Sequence, residues 1–148
     1  MQKNWTIYTS AKEKFEVLFP SQVIREHKGW YPDNGTSPGT IMYYSKIDAL
    51  LYQINVTRIR KVFGPASNYL KPALGEQLKI IHGAELEYDK LTNFKGYPAL
   101  EYKMKIKSGK LEGVMVLIKN TLYNLFVVFL PGNETEFGKF VNSFEVVK

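Results

Sequence analysis

An α+β fold is predicted, an α-β-α sandwich around a mainly antiparallel sheet. Two observations carry that reading. Residues 96–148 read as three strand patterns joined by hairpin turns, then a short helix and a final strand. Two of those three strands are apolar on both faces, so the sheet must be a filling with layers packed above and below it.

From the N-terminus, Trp5 to Tyr8 is read as a short strand. Phe15, Val17 and Phe19 then alternate with Glu16 and Leu18 up to Pro20, the period of a second strand. Residues Tyr31 to Gly39 hold Pro32, Asp33, Asn34, Gly35, Ser37 and Pro38. They form the longest irregular segment, and the one expected to be most mobile. Ile41–Ser45 and Leu50–Thr57 flank Asp48-Ala49 as a hairpin, with Leu50, Tyr52, Ile54 and Val56 inward. Gly64-Pro65 breaks the chain. Ser67 or Asn68 opens a helix whose stripe of Leu70, Leu74, Leu78 and Ile81 faces the sheet. Gly83 is expected to close it in a left-handed cap, and Pro72 and Gly75 inside it to kink or delay its first turn.

The C-terminal third is the most explicit. Leu100, Tyr102, Met104 and Ile106 alternate with charged residues, giving a strand with one wet face, and Ser108-Gly109 supplies a tight turn. In Leu111–Ile118, Met115 and Leu117 point one way while Val114, Val116 and Ile118 point the other. Leu122–Leu130 is apolar almost throughout, the mark of a central strand; Leu125, Val127 and Phe129 are expected to be buried on one face, Phe126 and Val128 on the other. After Pro131-Gly132, Asn133 and Glu136 resemble an N-cap and the acidic member of a capping box. Phe137, Phe140 and Val141 share the face of a helix of about two turns, and Ser143–Val147 resumes strand character.

The 148 residues suit a single domain, and 45% hydrophobic content is ordinary for a globular chain. No apolar run approaches the ~20 residues of a membrane helix, and residues 1–10 lack the apolar core of a signal peptide. If the precursor is exported, its leader is expected to lie before Met1. The chain has no cysteine, which removes disulfides, thiolate nucleophiles and thiolate metal sites.

A net charge of +6 and a pI near 9.4 raise nucleic-acid or anionic-membrane binding. The placement of charge argues otherwise for one lysine row. With Leu86 and Tyr88 facing the core, Glu85, Glu87 and Asp89 form an acidic row, setting Glu87 opposite Lys103 and Glu85 opposite Lys105, while Lys105 also faces Glu112. Such cross-strand pairs are worth about 0.2–1 kcal/mol each, so the row reads as a solvated face and no specific nucleic acid is expected. Arginines are confined to Arg25, Arg58 and Arg60.

No constellation of catalytic residues is visible, and neither an enzyme nor a cofactor is expected. His27 and His82 lie in separate segments without metal-ligand spacing, and neither a nucleophile elbow nor a phosphate-binding loop occurs. A protein-docking surface is expected instead around Trp30 and Tyr31, the Pro32–Gly39 loop, and Arg58 and Arg60. Those positions combine large aromatics, a variable loop and unpaired positive charge. Arg58 and Arg60 continue the inward parity of Tyr52, Ile54 and Val56; the plainer reading is a strand running out into solvent. For Trp30-Tyr31 it is a pair capping the core with a tip left wet.

Four blocks, FEVLFP at 15–20, GYPALE at 96–101, LYNLFV at 122–127 and FVNSF at 140–144, with Trp5 ahead of them, resemble the recurring blocks of small PsbP-like domains. The resemblance implies the same α-β-α sandwich. That superfamily includes a luminal extrinsic subunit of photosystem II, a nuclear Ran-binding factor, bacterial secretion-effector chaperones and many envelope proteins, often lipoproteins. They bind larger partners without chemistry of their own. The matching blocks contain no functional residue to carry over. The expectation is therefore a non-catalytic accessory domain of the bacterial cell envelope that docks onto a protein partner. It would be periplasmic or envelope-associated, with a cytoplasmic location as the alternative. A chaperone-like carrier that shelters an apolar segment or small ligand is the competing reading.

Overall fold

The computed structural model describes residues 4–28, 40–59 and 61–147. The loop predicted over Tyr31–Gly39 lies outside them. In chain order the elements are β1 (Thr6–Ser10), β2 (Phe15–Phe19), β3 (Ile24–Lys28), β4 (Thr40–Ile47), β5 (Leu50–Arg58), α1 (Ser67–Ile80), β6 (Glu85–Phe94), β7 (Tyr97–Ile106), β8 (Gly109–Ile118), β9 (Thr121–Phe129), α2 (Phe137–Asn142) and β10 (Glu145–Val146). They build two antiparallel sheets. The larger has the order β3-β4-β5-β9-β8-β7-β6; the smaller has the order β1-β2-β10.

The unbroken apolar run puts β9 at the centre of the large sheet, between β5 and β8. Leu125 and Val127 are fully buried on one face and Phe126 is buried on the other. Val128 and Phe129, predicted to be buried, are only half-buried, because the chain leaves the sheet at Leu130, itself 47% exposed. The alternation in β8 is realised as read: Met115 and Leu117 enter one core, Val114, Val116 and Ile118 the other.

The two cores differ in chemistry. On one face α1 presses Leu70 and Leu74 onto Leu100, Met104, Leu111, Met115, Leu117 and Phe126. Burying each such aliphatic side chain contributes about 1.5–3 kcal/mol. Gln77, also buried in α1, accepts from Asn124 Nδ2 at 2.9 Å, and Asn124 Oδ1 accepts from the Tyr102 hydroxyl at 2.6 Å. The Tyr102 ring lies against Gly113, where a Cβ would stand 2.4 Å from its hydroxyl oxygen. On the opposite face the small sheet and α2 supply an aromatic core in which Phe15, Tyr43, Tyr52, Tyr123, Phe140 and Phe144 meet.

Several local expectations shift. Gly83 is left-handed at φ +75°, but the helix already ends at Ile81, which is extended, so the glycine serves the following turn. Pro72 is held inside α1, which nevertheless begins at Ser67. Asn133 does not cap α2. The helix starts later, after Glu136, with no side-chain cap, and the Thr135 hydroxyl accepts from the Phe137 N–H at 3.3 Å. The segment after α2 pairs with β2 rather than extending the main sheet.

The covering layers are laterally offset. Helix α1 packs against β6, β7 and β8, whereas α2 packs on β2 and β9.

Candidate functional site

Of the four sequence-predicted docking residues, Trp30, Tyr31 and Arg60 lie outside the described residues, and Arg58 is described. Arg58 ends β5 directly opposite Thr121, the first residue of β9. One position earlier, Thr57 pairs with Thr40, where the chain emerges from residues 29–39. The β1–β2 turn completes this end of the molecule.

The charge on Arg58 is not unpaired. Its Nη2 donates to Glu13 Oε2 at 3.1 Å and to the Lys12 carbonyl at 3.2 Å. Glu13, which sequence reasoning did not single out, has a side chain only 2% exposed, while that of Arg58 is 58% exposed. The turn folds Glu13 inward because its N–H donates to Ser10 Oγ at 3.1 Å and its carbonyl accepts from the Tyr123 hydroxyl at 2.8 Å. Ser10 Oγ also bonds the Tyr43 hydroxyl at 3.0 Å, and Arg25 Nε donates to that hydroxyl at 3.2 Å. This network ties the small sheet to β3, β4, β5 and β9. Among the described residues Glu13 Oε1 has no hydrogen-bond partner, so the Arg58 pair is what compensates a buried carboxylate.

Burial, reinforced by the Glu13 charge and offset by Arg58, pushes the Tyr123 hydroxyl up to about 12. The folded state then holds this proton more tightly than the unfolded chain, whose tyrosines titrate near 10. The associated stability is thus present below about pH 10 and lost as pH rises toward about 12. In urea melts at about pH 8 and about pH 11, wild type is expected to lose more stability on the alkaline step than Tyr123→Phe. Equal losses in the two proteins would mean that Tyr123 ionises as readily folded as unfolded.

A second feature was misread from the sequence. A β-bulge between Leu86 and Tyr88 sets Tyr88, not Glu87, opposite Lys103. Leu86 and Tyr88 are each 41% exposed rather than in the core. Glu85 does face Lys105, but Lys105 lies opposite Lys110, and it is Lys103 that pairs with Glu112, at 3.6 Å. Glu87 reaches Lys110 instead, at 3.2 Å. The row is a solvated face matched in part and not in the predicted register: Lys103 and Lys110 have carboxylate partners, whereas Lys105 and Lys107 make no ion pair among the described residues. Along it, beside α2, runs an open groove of about 350 Å³ lined by Tyr88, Phe94 and Phe137 with Glu101, Lys103 and Glu112.

The two histidines stay apart, His27 on β3 and His82 after α1, and no cluster of three potential metal ligands occurs among the described residues. No described helix is long and apolar enough to cross a membrane.

No family model matches the sequence, and no curated protein matches it. Among solved structures, cyanobacterial PsbP (CyanoP) from Synechocystis sp. PCC 6803 is similar at a TM-score of 0.62 and 17% identity, over 99% of this chain and 94% of that one. This chain has a PsbP-like fold. Protein PA94 from Pseudomonas aeruginosa, of unknown function, is 13% identical at a TM-score of 0.46, covering 86% of this chain and 83% of that one. A Bacteroides thetaiotaomicron VPI-5482 protein is 17% identical at a TM-score of 0.46, over 100% of this chain and 50% of that one. The four sequence blocks fall on β2, the start of β7, β9 and the α2–β10 junction. They are the apolar framework of the PsbP-like sandwich, which is why they report fold and not activity.

Proposed function

We propose that the chain is a non-catalytic accessory domain of the bacterial cell envelope that docks onto a protein partner. Its contact surface is the end of the molecule that carries Arg58, with Trp30, Tyr31 and Arg60 as further anchors. The observation that carries this reading is convergence. The end of β5, the start of β4, the start of β9 and the β1–β2 turn meet at one end, where Lys28 and Thr40 are paired. Function grafted onto loops at one end of a rigid scaffold is the usual arrangement for recognition. The carrier reading draws support from the groove beside α2, but its charged lining of Glu101, Lys103 and Glu112 suits a solvated contact better than an apolar cargo.

Arg58 is a poor residue to change in a docking test. Its loss strands a buried Glu13 at about 1–3 kcal/mol, below the 3–5 kcal/mol of a fully buried pair because Arg58 is partly exposed. The informative variants are Trp30→Ala and Arg60→Glu, used as bait in the native envelope fraction beside wild type. A partner captured by wild type is expected to be lost or strongly depleted with both variants while their thermal melts match wild type. Undiminished capture by both folded variants would place docking elsewhere.

A further inference from the structure

The end of the molecule that carries Arg58 also holds lysines that make no ion pair among the described residues. Lys12 and Lys14 sit in the β1–β2 turn, Lys119 in the β8–β9 turn, and Lys61 in the segment after β5. All four are exposed. Adjacency is fixed by two hydrogen bonds: the Arg58 guanidinium donates to the Lys12 carbonyl at 3.2 Å, and the Ile59 N–H donates to the Asn120 carbonyl at 2.6 Å. None of the four makes an ion pair among the described residues, and the one acid in the β1–β2 turn, Glu13, is buried and committed to Arg58. Lys71, Lys79, Lys95, Lys103 and Lys110 each pair with a carboxylate, whereas Lys105 and Lys107 on the solvated face, like the four at this end, make no ion pair among the described residues; what sets the four apart is their place together at one end of the molecule.

Backbone strain singles out two of these positions independently. Lys14 and Lys119 are left-handed, at φ 59° and 55°, where glycine or asparagine sits with less strain. Lys95 is also left-handed, but its ammonium is tied to Glu145 Oε1 and to the carbonyls of Asn142 and Phe144. Among the described residues neither the Lys14 nor the Lys119 ammonium makes a comparable side-chain bond. Phe63 is 63% exposed, with the Lys61 ammonium 5.0 Å from its ring centre.

We propose that this end is a peripheral docking surface for an anionic phospholipid bilayer. The contact is to lipid and is additional to the protein docking proposed above. Lysine is depleted from protein–protein interfaces, where arginine and aromatics dominate, whereas compact charges on long flexible stems suit a fluid plane of headgroups. An exposed aromatic ring among such lysines fits the interfacial layer.

The test is co-sedimentation of the full chain with phosphatidylcholine vesicles, either pure or containing roughly 30% phosphatidylglycerol. Binding is expected only to the anionic vesicles, and to weaken as salt rises. The variant Lys12→Ser/Lys14→Asn/Lys119→Asn is expected to bind on the order of a hundredfold more weakly. Because the two asparagines relieve left-handed strain, its melting temperature should not fall below wild type. The charge-matched control Lys79→Ser/Lys105→Ser/Lys107→Ser is expected to bind as wild type does. No sedimentation of wild type, equal weakening by the control, or tighter lysine-dependent binding to poly-L-glutamate than to vesicles would each overturn the proposal, the last in favour of an acidic protein surface. Trp30→Ala separates the two ideas, since it is expected to lose the protein partner and keep the vesicles.

Discussion

Truncating Phe15 to alanine is expected to cost about 3–5 kcal/mol of folding free energy, the range for a core aromatic. Its ring is fully buried and meets Tyr43 edge-on at 5.0 Å, Phe144 at 6.0 Å, Tyr123 at 6.1 Å and Tyr8 at 6.4 Å. Those neighbours come from β4, the segment after α2, β9 and β1, so the vacated space would open where four parts of the chain meet. None of them can collapse into it alone, and the cavity would persist. Denaturant melts give the measurement, with Phe63→Ala as control, since a side chain so exposed is expected to change stability by less than about 0.5 kcal/mol. A loss below about 1 kcal/mol for Phe15→Ala would mean that the small sheet does not pack on the large one.

Phe126→Ala is expected to cost about as much, roughly 3–5 kcal/mol, on the opposite face. Phe126 is 7% exposed in the aliphatic core beneath α1. Its ladder partners are Gly113 on β8 and Gln53 on β5, neither of which offers an apolar side chain to fill the gap. Exchange of the α1 amides should accelerate in this variant, because the helix loses part of the surface on which it docks. A loss below about 1 kcal/mol would put β9 at the edge of a sheet, in conflict with its place between β5 and β8.

The sequence was most legible where burial is periodic and local. Alternation in β7 and two-sided apolarity in β8 and β9 name their own faces, since a strand's side chains obey a period of two whatever it pairs with. The stripe of Leu70 and Leu74 likewise anticipated the docking of α1. Reading failed where partners are distant. Strand β3 has no alternation to display, because Ile24, Arg25, Glu26 and His27 are all exposed along an edge of the sheet. The bulge beside Glu87 was invisible for another reason. One extra residue changes every opposite pair beyond it, and nothing in the composition of that strand marks where it falls.

The docking site was legible in outline only. Aromatics, arginines and a long loop could be grouped by type, but the pairing of Arg58 with Glu13 spans 45 residues and depends on a turn folding a carboxylate inward. The lysines at the Arg58 end were likewise counted in the net charge before any position could be given them.

By itself, then, the sequence determined the fold class, the central strand, the helix that covers one face and the apolar blocks that build a PsbP-like sandwich. These follow from hydrophobic periodicity, which each segment carries within itself. Tertiary structure alone decided that β1, β2 and β10 form a second sheet, that the covering layers are offset, and which charges are satisfied. Those outcomes depend on distances between residues far apart in the chain, and no local pattern encodes them.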